Sequence, residues 1–132
     1  MAKYQILIPD MSAVGMHHWG DRQLTVGKLY EMRAEPPNPN DTNAVAMYET
    51  TYPYNKRAYL IREAAKIIQP ILLKYPSVVS GRMKVLSPAI VTSYEKGPEH
   101  NCTIVFYCSE QQKGTIEDIL KLSDTHHIVY KL

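Results

Sequence analysis

The chain has 132 residues, enough for one hydrophobic core and too few for two independent domains of ordinary size. With 45% hydrophobic and 21% charged residues it is neither disordered nor fibrous, and its ten Tyr against one Phe and one Trp suit sheet and binding surfaces. A formal net charge of +2 is too small for a broad, counterion-releasing duplex binder, so any nucleic-acid contact is expected to be a compact pocket.

Tyr4 to Ile8 reads as a short strand stopped by Pro9-Asp10, and Ser12 to Trp19 as a second extended segment ending at Gly20-Asp21. Leu24 to Arg33 alternates as a strand, with Leu29 blurring the two-residue period. The three prolines of Glu35-Pro36-Pro37-Asn38-Pro39-Asn40-Asp41 fix φ and remove amide donors, so this stretch is an ordered loop. Strands follow at Ala44 to Tyr48 and Arg57 to Leu60, joined by a polar connection carrying Tyr52 and Tyr54.

Ile61 to Tyr75 is the clearest helix: Ala64, Ile67, Ile68, Ile71 and Leu72 hold helical spacing, and Pro70 predicts a kink or break near Ile68-Gln69. Val78 to Leu86 returns to strand, Ser87 to Asn101 is mostly loop, and Thr103 to Cys108 is β-branched and aromatic enough for another strand. A second amphipathic helix spans Lys113 to Leu122, with a last strand from His127 to Tyr130. The fold class expected is mainly β with two helices: a small OB-like or SH3-like β-barrel of about six strands with one internal amphipathic helix.

Met1 to Pro9 shows no secretory signal and no apolar run is long enough to span a bilayer, which predicts an intracellular protein without membrane contact. Cys102 and Cys108 share one face of a strand but lie too far apart along it for a disulfide, and are expected as reduced, half-buried thiols. The histidines His17, His18, His100, His126 and His127 lack metal-ligand spacing, because adjacent histidines on a strand point to opposite faces; they are expected to be solvated or packed. Glu31, Glu35 and Asp41 are close in sequence, but intervening prolines spoil a regular magnesium-binding arrangement. With no nucleophile elbow and no phosphate-cradling glycine loop either, neither an enzyme nor a bound cofactor or metal is expected.

Four pieces in order carry a family likeness. They are Gly15-Met16-His17-His18-Trp19; the run Arg33-Ala34-Glu35-Pro36-Pro37-Asn38-Pro39-Asn40-Asp41-Thr42-Asn43-Ala44-Val45-Ala46-Met47; the short strand Arg57-Ala58-Tyr59-Leu60; and the helix Ile61-Arg62-Glu63-Ala64-Ala65-Lys66-Ile67-Ile68-Gln69-Pro70-Ile71-Leu72. Together they cover under half of the chain, and the Asn-Pro-x-Asp-x-Asn-Ala portion is highly specific. The region from Gly15 to Leu73 resembles the HIRAN family, read as one domain over 1–132 with a family-like core at 12–110 and a C-terminal helix and strand at 111–132.

The loop's chemistry can be argued from its residues. Its short donors and acceptors sit on a proline-stiffened backbone that loses little entropy on meeting a ligand. A carboxylate such as Asp41 accepts a hydrogen bond from a sugar hydroxyl and repels a phosphate; the same Asp41 and Asn43 also suit turn capping, and a dual role is expected.

The resemblance implies a β-barrel related to the OB fold that holds the 3′ end of single-stranded DNA. Carried over by position, His17, His18 and Trp19 line the base side, where stacking is worth roughly 1–3 kcal/mol per base. Asn38, Asn40 and Asp41 receive the terminal sugar, Tyr59 and Arg62 sit beside the backbone, and Lys66 is a second cation one turn on. This chain has His17-His18 where family members often have Arg-Tyr, and Asn40 where they have Tyr, which predicts binding that strengthens below about pH 6.5. The expected role is a nuclear, monomeric module that brings DNA-repair or replication-fork activities to free 3′-hydroxyl ends. The alternative is a protein-interaction module on the same barrel, contacting partner proteins through its Tyr-rich surface and Trp19.

Overall fold

The computed structural model describes residues 3–16, 23–39, 41–75, 80–91 and 97–132. Among them the elements are β1 (Tyr4–Val14), β2 (Leu29–Ala34), β3 (Val45–Glu49), β4 (Lys56–Leu60), α1 (Arg62–Lys74), β5 (Ser80–Val85), β6 (Ile90–Val91), β7 (Pro98–Cys108), α2 (Glu110–Leu122) and β8 (Ile128–Lys131). Antiparallel pairing runs β7–β5–β2–β3–β4–β1 and returns from β1 to β7, which closes a six-stranded barrel. β6 and β8 are additions, on β7 and β1 respectively. The mainly β, two-helix barrel read from the sequence is the fold observed.

Pro9-Asp10 does not stop β1. Asp10 takes φ 60° and the register against β7 shifts between Ile8 and Met11. This bulge inserts one residue, so Ile6 and Ile8 face the core before it and Ala13 after it. Proline is tolerated at such a site because the bulge interrupts the ladder anyway. β2 starts at Leu29 rather than Leu24, because Thr25 to Lys28 form a turn: Lys28 N–H donates to the Thr25 carbonyl at 3.2 Å and Gly27 adopts φ 85°. A left-handed φ of that size suits glycine.

α1 carries Pro70 without a break. The amide that Pro70 lacks would have met the Lys66 carbonyl, and both residues are exposed, so water can serve that carbonyl. On the opposite side Ile68 and Ile71 are fully buried and hold the helix to the barrel. α1 packs against β2, β3 and α2, while α2 packs against β1 and β7. Their apolar faces meet Phe106, Met83, Met47 and the β1 isoleucines in one continuous core.

β7 begins at Pro98, so much of the expected loop before Asn101 is strand. Its polar start pairs with Ser12 and Ala13 of β1 and with β6. His100 is wholly buried there. Its Nε2 accepts the Leu24 amide at 3.0 Å and its Nδ1 meets the Ser87 carbonyl at 2.8 Å. His126 is exposed, and His127 bonds the Thr125 carbonyl and Glu117. Cys102 and Cys108 are both free and fully buried, where half-burial was expected, because both face the barrel interior. Burial pushes the Cys102 thiol up to about 12, and burial likewise raises Cys108.

α2 starts three residues earlier than its apolar spacing implies, because Ser109 and Gln112 cap it reciprocally. The Gln112 amide donates to Ser109 Oγ at 3.2 Å, and the Ser109 amide donates to Gln112 Oε1 at 2.8 Å.

Candidate functional site

The Pro/Asn/Asp loop links β2 to β3 as two short turns stitched by their own polar groups. The Glu35 amide donates to the Ala44 carbonyl at 2.8 Å and the Asn38 amide to the Glu35 carbonyl at 3.0 Å. Asn38 Oδ1 accepts the Asp41 amide at 3.3 Å, and Asp41 Oδ1 accepts the Asn43 amide at 2.9 Å. These are Asx interactions, in which a side chain stands in for backbone. From below, buried Gln69 of α1 donates to the carbonyls of Thr42 (2.8 Å) and Ala44 (3.2 Å). The loop's end is thereby fastened to the helix.

Beside it lies a polar cluster on the outer face of β3 and β4. Glu35 forms an ion pair with Lys56, accepts the Tyr48 hydroxyl at 3.0 Å and accepts Asn38 Nδ2 at 3.4 Å. Tyr59 hydroxyl receives Lys56 Nζ at 3.4 Å and Asn38 Nδ2 at 3.5 Å. Arg33 stacks on the Tyr48 ring, 4.5 Å from its centroid. Burial raises the Glu35 carboxyl, but hydrogen bonds from Lys56 and Tyr48 and the Lys56 charge outweigh it and hold the group below the usual carboxylate range. Burial lowers Lys56, yet its bonds to Glu35 and Tyr59 prevail and hold it above the usual ammonium range. Tyr48 is raised, first by burial and then by Glu35.

The structure brings together four residues singled out from the sequence, Asn38, Asp41, Tyr59 and Arg62, with Lys66 one helical turn beyond. Asn38, Asp41 and Tyr59 are half-buried; Arg62 opens α1 with Nε 3.6 Å from Asp41 Oδ2; Lys66 is exposed one turn further. Asp41 is thus both a turn cap, through Oδ1, and a partner of an exposed guanidinium, through Oδ2. His17, His18, Trp19 and Asn40 lie outside the described residues. Lys56 and Tyr48 belong to the site by contact and were not singled out from the sequence. Their signal was the strand phase that puts Tyr48 opposite Lys56 across the β3–β4 pair, and it is readable only once that register is known.

The three carboxylates considered for magnesium go separate ways: Glu31 pairs with Arg33, Glu35 with Lys56 and Asp41 with Arg62. Among the described residues no group of three potential metal ligands converges.

No family model matches the chain, and no curated protein is similar to it in sequence. Solved structures do match. The HIRAN domain of human HLTF superposes with a TM-score of 0.66 at 16% identity, covering 91% of this chain and 92% of that one. A protein from Lactobacillus plantarum superposes with a TM-score of 0.53 at 14% identity, covering 76% of this chain and 95% of that one. At this identity the likeness is one of fold, and it spans nearly the whole chain: the protein is a β-barrel with the architecture of the HIRAN domain.

Proposed function

We propose that this chain is a binding module that captures the 3′-hydroxyl end of single-stranded DNA. The observation that supports this reading is the meeting of the Pro/Asn/Asp loop with the first turn of α1, where an acceptor, Asp41, lies 3.6 Å from an exposed cation, Arg62. An ion pair with one partner that exposed contributes about 0–1 kcal/mol and opens at little cost. Arg62 then turns to the last phosphate, followed by Lys66, and frees Asp41 Oδ2 to accept the terminal hydroxyl. A terminal phosphate meets the same carboxylate as a like charge and is rejected. Asn38 and Tyr59 border the sugar, His17, His18 and Trp19 stack on the bases, and Asn40 completes the loop's contacts. The HIRAN architecture is in keeping with this assignment. In this reading the module acts as a monomer, in the nucleus, and directs repair or replication-fork activities to exposed 3′ ends.

Fluorescence anisotropy with short oligonucleotides ending in 3′-hydroxyl or 3′-phosphate tests it. The wild type is expected to prefer the hydroxyl by about tenfold, or about 1.4 kcal/mol, and Asp41→Ala to erase that preference. Equal, weak and strongly salt-dependent binding to both ends would refute it. That outcome would favour the second reading, a protein-interaction module, for which the exposed Ile128 and Tyr130 of β8 and Leu122 of α2 speak.

A further inference from the structure

The β3–β4 hairpin carries an aromatic tip that the end-binding site does not use. The turn is closed by the Tyr54 amide on the Thr51 carbonyl (2.8 Å) and the Glu49 amide on the Asn55 carbonyl (2.9 Å). At its tip Tyr52 is 85% exposed and Tyr54 48% exposed, and the two rings meet edge to face with centroids 6.2 Å apart. A tyrosine this exposed adds almost nothing to the core, and an edge-to-face pair leaves ring faces uncovered.

The tip is continuous with the loop site. Asn38 reaches Tyr59, Tyr59 reaches Lys56, and Lys56 lies 5.7 Å from the Tyr48 ring centroid at the turn end of the hairpin. Tyr48 is already covered by Arg33, and Tyr59 has Lys56 over its ring at 5.4 Å, so the uncovered aromatic faces lie further along, at Tyr52 and Tyr54. Between the two regions runs β4, five residues or roughly 16 Å of strand, a span of a few nucleotides. Lys56 and Arg57 flank that path, and the neighbouring Glu35 and Glu49 are neutralised by them.

We propose that nucleotides 5′ of the captured terminus pass over this strand and stack their bases on Tyr52 and Tyr54. Single-stranded nucleic acid fits because every base offers a π-face to an aromatic ring, whatever its sequence, and the paired charges along β4 set no uncompensated carboxylate of Glu35 or Glu49 against its phosphates. This stacking rests on the end-capture reading for its starting point.

The test compares oligonucleotides of about 3 and about 9 nucleotides, all with 3′-hydroxyl ends. The longer is expected to bind the wild type about tenfold more tightly, and Tyr52→Ala/Tyr54→Ala to bring it down to the level of the shorter. Tyr52→Phe/Tyr54→Phe retains the gain, because the ring faces remain. Abasic sites placed beyond the last two nucleotides remove the gain in the wild type and change nothing in the double alanine variant. A length gain that survives Tyr52→Ala/Tyr54→Ala, or that is indifferent to abasic sites, overturns the hairpin track. So does a gain abolished by Lys74→Glu alone, which would place the strand along α1. Loss of discrimination between 3′-hydroxyl and 3′-phosphate ends bears on the Asp41 pocket instead, and leaves the length series to judge the tyrosines.

Discussion

Removing the charge of Glu35 while keeping its shape isolates the contribution of the polar cluster. In Glu35→Gln, Lys56 loses its counter-ion and Tyr48 keeps a neutral acceptor. A hydrogen bond to a charged group is worth about 1.5–3 kcal/mol, an exposed pair at most about 1, and breaking a fully buried pair costs about 3–5. Here the side chains are 17% and 27% exposed, between the two limits, so the expected loss is about 2 kcal/mol. For a chain of this size that lowers Tm by about 7 °C.

The pH dependence has a definite sign. Glu35 is held below its ordinary value, so its contribution is present above the unfolded carboxyl pKa of about 4.3 and is lost as pH falls through the lower native value. Lys56 is held above its ordinary value, so its contribution is present below about pH 10.4 and is lost only as pH rises through the higher native value. The stability gap between wild type and variant should therefore be flat from about pH 6 to 9 and narrow below about pH 4. Urea unfolding followed by circular dichroism at about pH 7 and 3.5 measures it. A gap below about 0.5 kcal/mol at neutral pH, or one unchanged in acid, would show that the cluster does not act through charge.

Gln69→Leu, which strips the Thr42 carbonyl of its Gln69 donor and leaves the Ala44 carbonyl with the Glu35 amide alone, should cost about 1–3 kcal/mol and speed amide exchange at Asn43 and Ala44, as hydrogen exchange would reveal. In Gly81→Ala the new Cβ would lie 2.9 Å from Met32 Cε and 3.1 Å from both Leu72 Cδ2 and Phe106 Cε1. The methionine tip can yield but the Phe106 ring has little room, so a loss of about 1–3 kcal/mol is expected in thermal melts. Neither Cys102 nor Cys108 should react with a thiol reagent at about pH 8 until denaturant is added, since both are buried and shifted away from the thiolate. Fast labelling of the native protein would contradict the packing of β7.

The barrel and the loop were legible in the sequence for local reasons. Alternation in β2, the apolar spacing of α1, and proline and Asx chemistry between Glu35 and Asn43 all act within a few residues. What escaped local reading depends on partners far away. β1 runs through Pro9-Asp10 because β7 accommodates a bulge, and His100 joins β7 because its ring is claimed by Leu24 and Ser87. The early start of α2 lies in Ser109-Glu110-Gln111-Gln112, a capping box that apolar spacing alone does not reveal. At the site, Asp41 and Arg62 were found by motif, whereas Lys56 and Tyr48 needed the cross-strand register.

Gln69 gives the loop a mechanical dependence on residues that no ligand touches. Its amide group grips two loop carbonyls from within a helix face that also carries Ile68 and Ile71. Displacing the loop therefore means either breaking both grips or dragging the helix off its seat. Conservative resizing of Ile68 or Ile71 should accordingly alter how long an occupant stays, through changes in helix seating alone, while every group at the mouth of the site keeps its identity.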